Sequence, residues 1–282
     1  MTRRTDASEA LIRMADLGES SHVEAHGWLA PADVSGCKLH GVQLIQALGR
    51  RLRLRQRAVE TAMVYFRRFY AVHTLLEHDL LLVAPTCVWC ASKVEECALS
   101  AKLVVAELAE LAQSAAGRDC SLPIASAGYA AADLFATEPV LLEALGFDLH
   151  VEHPHAALAE LLHAARARQT LGADRSELVA QTAWMLLNDC HRADLCPQLP
   201  PRAVALAALA VSAELHALPV RRWVPEETLR AVDEGQVAGV AAALLRLFEG
   251  GAPRPAELAP VMAKLEAHWA ARRAEAAADG YM

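Results

Sequence analysis

Aromatic side chains are scarce in this chain, 5% of 282 residues, although 54% of the residues are hydrophobic. The apolar mass is therefore mostly alanine and leucine, strong helix formers, and an all-α protein is expected. Positive charge is short as well: 27 lysines and arginines against 34 aspartates and glutamates leave a net charge of −7. That balance argues against a nucleic-acid binder relying on general phosphate attraction. The most apolar stretches, 80–92 and 203–213, fall short of the ~20 residues that cross a bilayer, so no membrane partner is expected. The opening MTRRTDASEALIRMADLG has no apolar h-region or cleavage pattern, so no secretory leader is expected there. Seven cysteines, an odd count, do not read as a secreted disulfide framework, and a soluble protein of a reducing compartment is expected. No Gly-rich phosphate loop, nucleophile elbow or catalytic carboxylate pair is present, so neither catalysis nor a cofactor is expected.

What is present is helical periodicity. Residues 1–38 are weakly periodic and read as an N-terminal extension with one helix. Leu39, Val42, Ile45 and Leu48 then fall at helical spacing, followed by a second stripe of Val59, Met63, Phe66 and Tyr70. Arg57, Glu60, Arg67 and Arg68 lie largely off that stripe, which predicts a half-exposed helix. Asp79 is placed to cap the next helix, which is charge-free from Leu80 to Ser92 and so belongs at the centre of a bundle, with Pro85 bending it. A second amphipathic helix feeding a second charge-free one, Ala203 to Ala213, repeats the plan at a period of about 120 residues. The expected organisation is two tandem five-helix bundles, 39–170 and 174–250, the second extending as far as 273, with 274–282 as a tail.

The segment CVWCASKVEE, Cys87 to Glu96, poses the main chemical choice. Cys87 and Cys90 sit three apart on the apolar helix, where thiols behave as small apolar groups. Metal or redox work needs accessible thiolates. Cys37, Cys97, Cys120, Cys190 and Cys196 add no ligand spacing, and no metal site is expected. Lys93, closing the same helix, is either an ordinary solvated lysine or one that has found acceptors. Trp184, Asn188 and Asp189, at i, i+4 and i+5, share one helix face, with the tryptophan either partly buried or presented outward. Arg50, Arg51, Arg53, Arg55 and Arg57 read as a solvated basic face. His150, His153 and His155 lack a partner carboxylate or cysteine and read as capping or surface residues.

The stretches LIQALGRRLRLRQRAVETAMVYFRRFYAV, LLLVAPTCVWCASKVEE and AWMLLNDCHRADLC, with ESSHVEAHGWL upstream, resemble the cyclin C family, whose members serve the Mediator kinase module. The resemblance implies a two-repeat cyclin fold. It also implies a non-catalytic subunit in the nucleus that binds and activates a cyclin-dependent kinase of that module, together with other module subunits, without direct nucleic-acid contact. By the same resemblance, Lys93 and Glu138 would hydrogen-bond the kinase backbone, and Val94, Leu142 and Phe147 would pack on its regulatory helix. Trp184, Asn188 and Asp189 would line a groove for the module's large activating subunit, and Ser20, Ser21 and His22 would form a kinase-specificity element. The chain departs from the family at His26, where an aromatic is the rule and the tryptophan is instead Trp28, across Gly117–Gly128, and at Pro139. Other expectations are a transcriptional cyclin of an elongation or initiation kinase, or a transcription factor IIB-like protein using the same repeats on DNA. An enzyme using the Cys-x-x-Cys is the third.

Overall fold

The computed structural model describes residues 29–113, 128–167, 173–190, 199–218, 224, 234–250 and 255–278. They form α1 (Pro31–Arg51), α2 (Gln56–Val72), α3 (Leu80–Val94), α4 (Ala101–Gln113), α5 (Ala131–Ala144), α6 (Pro154–Ala167), α7 (Ala173–Cys190), α8 (Pro201–Leu215), α9 (Glu234–Gly250) and α10 (Pro255–Ala278). No strand occurs among the described residues. The chain divides into two compact units, Met1–His150 with Pro253–Met282, and Val151–Ala252.

In the first unit α3 is the central helix, packed against α1, α2, α4 and α5. Its charge-free run dictates this: every residue from Leu80 to Ser92 except Leu82 is buried. Asp79 caps the helix, accepting the Leu81 N–H at 2.9 Å, and Pro85 lies inside it. The neighbouring α2 is not half-exposed as its sequence predicts. Glu60 and Arg67 are buried with its apolar stripe, because α1, α3 and α5 all pack on it. Gln56 supplies Glu60 with a hydrogen bond at 3.0 Å.

Two boundaries differ from those expected. Residues 31–38 are not a separate extension but the first turns of α1, with Val34 and Cys37 buried. Gly36 sits inside α1 where α10 comes close. A Cβ there would stand 2.3 Å from Leu258 Cδ2. Likewise α10 belongs to the first unit rather than the second. Leu258, Met262, Leu265 and Trp269 form its buried stripe. Its donors close on the α2–α3 connection: Trp269 Nε1 donates to the Leu75 carbonyl at 2.8 Å, and Arg272 to the Leu76 carbonyl at 2.8 Å. Arg273 pairs with Asp79 at 2.5 Å, and the Tyr129 hydroxyl donates to the same carboxylate.

The second unit repeats the plan, with α8 packed against α6, α7 and α9. Ala203 to Leu209 are buried without a break. Here too the boundary moves: α6 joins this unit, since Leu158, Leu161, Leu162 and Ala165 lie in its core. The first helix after α6 in this unit, α7, starts at Ala173, one residue before the bound expected for the second bundle.

Burial of His40 on α1 lowers its pKa to about 4. The folded state then holds fewer protons than the unfolded chain between that value and the usual 6.5, so stability falls as pH drops through this window. The stability of the wild-type protein is expected to decline more steeply between pH 6.5 and 4 than that of His40→Gln, by a slope worth about one proton. Urea titrations at a series of pH values measure the difference. Equal slopes would contradict it.

Candidate functional site

The residues singled out at the end of α3 meet residues from α5. Lys93 and Glu138 form a direct ion pair between side chains that are 36% and 25% exposed. The pair therefore lies at the surface and contributes little to stability by itself, typically ~0–1 kcal/mol. Local folding fixes both ends. Lys93 closes the central helix, whose last turn is completed by the Glu95 N–H to the Ala91 carbonyl at 2.9 Å. Glu138 lies midway along α5, which starts at Ala131 with Asp133 accepting the Ala130 N–H at 2.6 Å. Pro139 is inside the helix and does not start it. It removes the N–H that would meet the Phe135 carbonyl one turn back, and its ring crowds that carbonyl.

Around the pair lies an apolar rim. Val94 is exposed, Leu142 is half-buried one turn after Glu138, and Phe147 is 71% exposed. Gly146 and Phe147 both adopt positive φ, 59° and 57°. Glycine accepts this readily, whereas a phenylalanine is held there at a cost. The Phe147 N–H donates to the Leu142 carbonyl at 3.0 Å, which turns the chain and presents the ring to solvent. Beside Val94 a cavity of about 490 Å³ is lined by Arg55, Arg57, Glu95, Glu96 and Cys97.

Three residues surround the pair whose contacts the sequence reading did not anticipate. Trp89 lies one turn before Lys93, whose Nζ stands 3.5 Å from the indole ring centroid. Phe135 on α5, 55% exposed, meets Trp89 edge-on with ring centroids 5.2 Å apart. The Cys90 thiol lies 3.7 Å from Glu138 Oε1. The i, i+4 spacing of Trp89 and Lys93 was visible in the sequence, but the contacts from α5 depend on packing.

The thiols of the Cys-x-x-Cys are not poised for chemistry. Burial pushes Cys87 far above the usual thiol range and Cys90 up to about 12, so neither supplies a thiolate. Cys37, Cys87, Cys90 and Cys97 are free, while Cys190 is disulfide-bonded. The cysteine count did not lead one to expect that bond. The arginine cluster is tied into the first unit more than expected. Arg51 bridges to Glu107 at 2.6 Å and to Glu110, and Arg57 to Glu95 at 2.7 Å.

In the second unit Trp184 is 43% exposed on α7, with Asn188 and Asp189 half-buried beside it. His155, at the start of α6, is more than a surface residue. Its ring stands 4.7 Å from that of Trp184, and its Nε2 is 3.2 Å from Asn188 Oδ1. Met185 and Leu178 extend the exposed apolar surface of the same helix. Ser20, Ser21 and His22 lie outside the described residues.

Residues 38–150 match the family described as Cyclin, N-terminal domain, and the match ends where the second unit begins. Cyclin-C of Rattus norvegicus is 34% identical over 209 residues, 73% of this chain and 69% of that protein. Cyclin-C1-2 of Arabidopsis thaliana is 32% identical over 227 residues, 80% and 82% of the two chains. Among solved structures, a chain of the CAK complex from Chaetomium thermophilum aligns with a TM-score of 0.64 at 15% identity, covering 94% of this chain and 84% of that one. A chain of the yeast RNA Pol II CTD kinase CTDK-1 complex aligns with a TM-score of 0.64 at 16% identity, covering 84% and 71%. At such identities the structural likeness speaks for the fold alone.

Proposed function

The chain belongs to the cyclin family, and from that premise we propose that it is the cyclin of a Mediator-associated cyclin-dependent kinase, acting in the nucleus on RNA polymerase II transcription. As a cyclin it is a non-catalytic regulatory subunit of a kinase. ATP, magnesium and phosphotransfer belong to the partner. The single observation that carries the docking reading is the Lys93–Glu138 pair, formed between α3 and α5 and left accessible at the surface. An ammonium offers donors to backbone carbonyls and a carboxylate offers acceptors to backbone amides, so together they can grip a kinase segment whatever its side chains.

The mechanism follows from the rim. Val94, Leu142 and Phe147 supply apolar area against the kinase's regulatory helix, while the ion pair fixes its register. Held inward, that helix presents its glutamate to the active-site lysine, the ion pair that an active kinase requires. A transcription factor IIB-like role would call for a basic face on DNA, which a net charge of −7 does not favour. Affinity purification from nuclear extract, followed by identification of the co-purifying kinase, tests the proposal. A Mediator-class kinase is expected, and an initiation or elongation kinase in its place would overturn the assignment.

The exposure of Trp184 favours a second surface on the second unit, with Asn188 and Asp189, for the activating subunit of the same module. An aromatic anchor flanked by polar groups has the make-up of an interface hot spot. Trp184→Ala combined with Asp189→Ala is expected to leave the melting temperature near wild type and kinase binding intact. Binding of the activating subunit, and the stimulation it brings, should drop at least tenfold. General unfolding of the variant in a thermal melt would instead mean that Trp184 is a core residue.

A further inference from the structure

Lysine is a poor anchor unless something holds it, because its flexible four-carbon stem loses rotamer freedom when fixed. That loss is suffered on binding unless the free protein has already ordered the side chain. In this chain Lys93 is held from two sides: Glu138 pairs with it, and the Trp89 ring lies 3.5 Å beneath its Nζ. The indole is itself immobile. It is 7% exposed, its Nε1 donates to the Leu99 carbonyl at 3.1 Å, and Phe135 braces its edge. An ammonium over an indole face is attracted by the ring quadrupole, more strongly as water is excluded.

Glu138 is held by a second device. Cys90 is 2% exposed, and its Sγ lies 3.7 Å from Glu138 Oε1, the oxygen that also takes Lys93. Burial keeps that sulfur protonated, so it meets the carboxylate as an S–H donor. Both contacts converge on Oε1.

We propose that Trp89 and Cys90 are positioning residues, which order Lys93 and Glu138 in the free protein so that the pair meets a kinase backbone already in its bound geometry. This rests on the reading of Lys93 and Glu138 as the kinase-docking pair. Neither positioning residue touches the kinase in this account. Each acts through the charged partner it holds.

The test has one arm without a kinase and one with it. In the full chain carrying lysine labelled with 13C at Cε, the Lys93 methylene protons are expected upfield of those of exposed lysines, displaced by the indole ring current. Trp89→Leu should return them to the exposed position. Trp89→Phe, which keeps a ring and serves if the leucine variant fails to fold, should leave an intermediate shift. A Lys93 signal at the exposed position in the wild type would overturn the proposal. In the binding arm, Trp89→Leu is expected to raise the kinase Kd about tenfold, and Cys90→Ala severalfold. Cys90→Ser, which restores a donor, should return to near wild type. In a Glu138→Ala background the Cys90→Ala change should have no further effect, as coupled residues require and independent packing does not. Additive losses, or no rescue by serine, would overturn the role of Cys90. If Lys93→Ala and Glu138→Ala leave kinase affinity unchanged while the upfield shift is present, the docking reading has failed and the local geometry has not.

Discussion

Replacing either Lys93 or Glu138 by alanine is expected to weaken kinase binding by ~2–5 kcal/mol, a loss dominated by kinase backbone groups left buried without partners. The same substitutions should barely move the melting temperature, because a partly exposed ion pair contributes little to folding. That separation, a large loss of affinity with the fold intact, distinguishes a docking pair from a structural one. Calorimetric titration of the purified kinase with each variant measures the first quantity, and a thermal melt the second. Normal affinity in both variants would remove the pair from the interface. A large drop in melting temperature would make it part of the scaffold.

The second large effect is on stability and concerns α10. Trp269 is 3% exposed, and its indole N–H satisfies the Leu75 carbonyl. Trp269→Ala should therefore cost ~3–5 kcal/mol, the usual penalty for emptying an aromatic site in a core. The lesion falls in the first unit although the residue stands near the C-terminal end of the sequence. Arg273→Ala should cost less. Its guanidinium is 47% exposed, but it pairs with the nearly buried Asp79 that caps α3. Urea unfolding followed by circular dichroism reads both. An unchanged midpoint in Trp269→Ala would contradict the packing of α10 on the α2–α3 connection.

That packing also marks the limit of what the sequence made legible. The charge-free runs of α3 and α8 identified the two central helices without any coordinates, because a helix apolar all round has no solvent face. Asp79 was recognisable as a cap, and Lys93 stood out as the charge ending an apolar run. By contrast, the amphipathic stripe of α10 shows that the helix packs, and nothing in its periodicity says against which core. The same blindness made α2 look half-exposed. Glu60 and Arg67 read as solvent-facing by type, yet helices converging on α2 from several sides bury them. Residues 31–38 read as part of an extension, yet they open α1. Gly36 is a close-approach residue for Leu258, a role that exists only once the two helices are together. Phe135 and Cys90 were invisible as site residues for the same cause, since their roles come from α5 lying across α3. His155 reads as one member of a histidine run, and only packing sets it against Trp184 and Asn188.

The central claim, that this cyclin switches on a Mediator-class kinase through its first unit, meets its most direct test in one reconstituted assay. A purified Mediator-class catalytic subunit is titrated with the chain while phosphorylation of an RNA polymerase II C-terminal-domain peptide is followed. The kinase alone should be nearly silent, and its rate should rise saturably with the wild-type chain. The Lys93→Ala, Glu138→Ala double variant should need at least tenfold more protein to reach half-maximal rate. A kinase whose rate is indifferent to the wild-type chain, or equally stimulated by the double variant, would contradict the account.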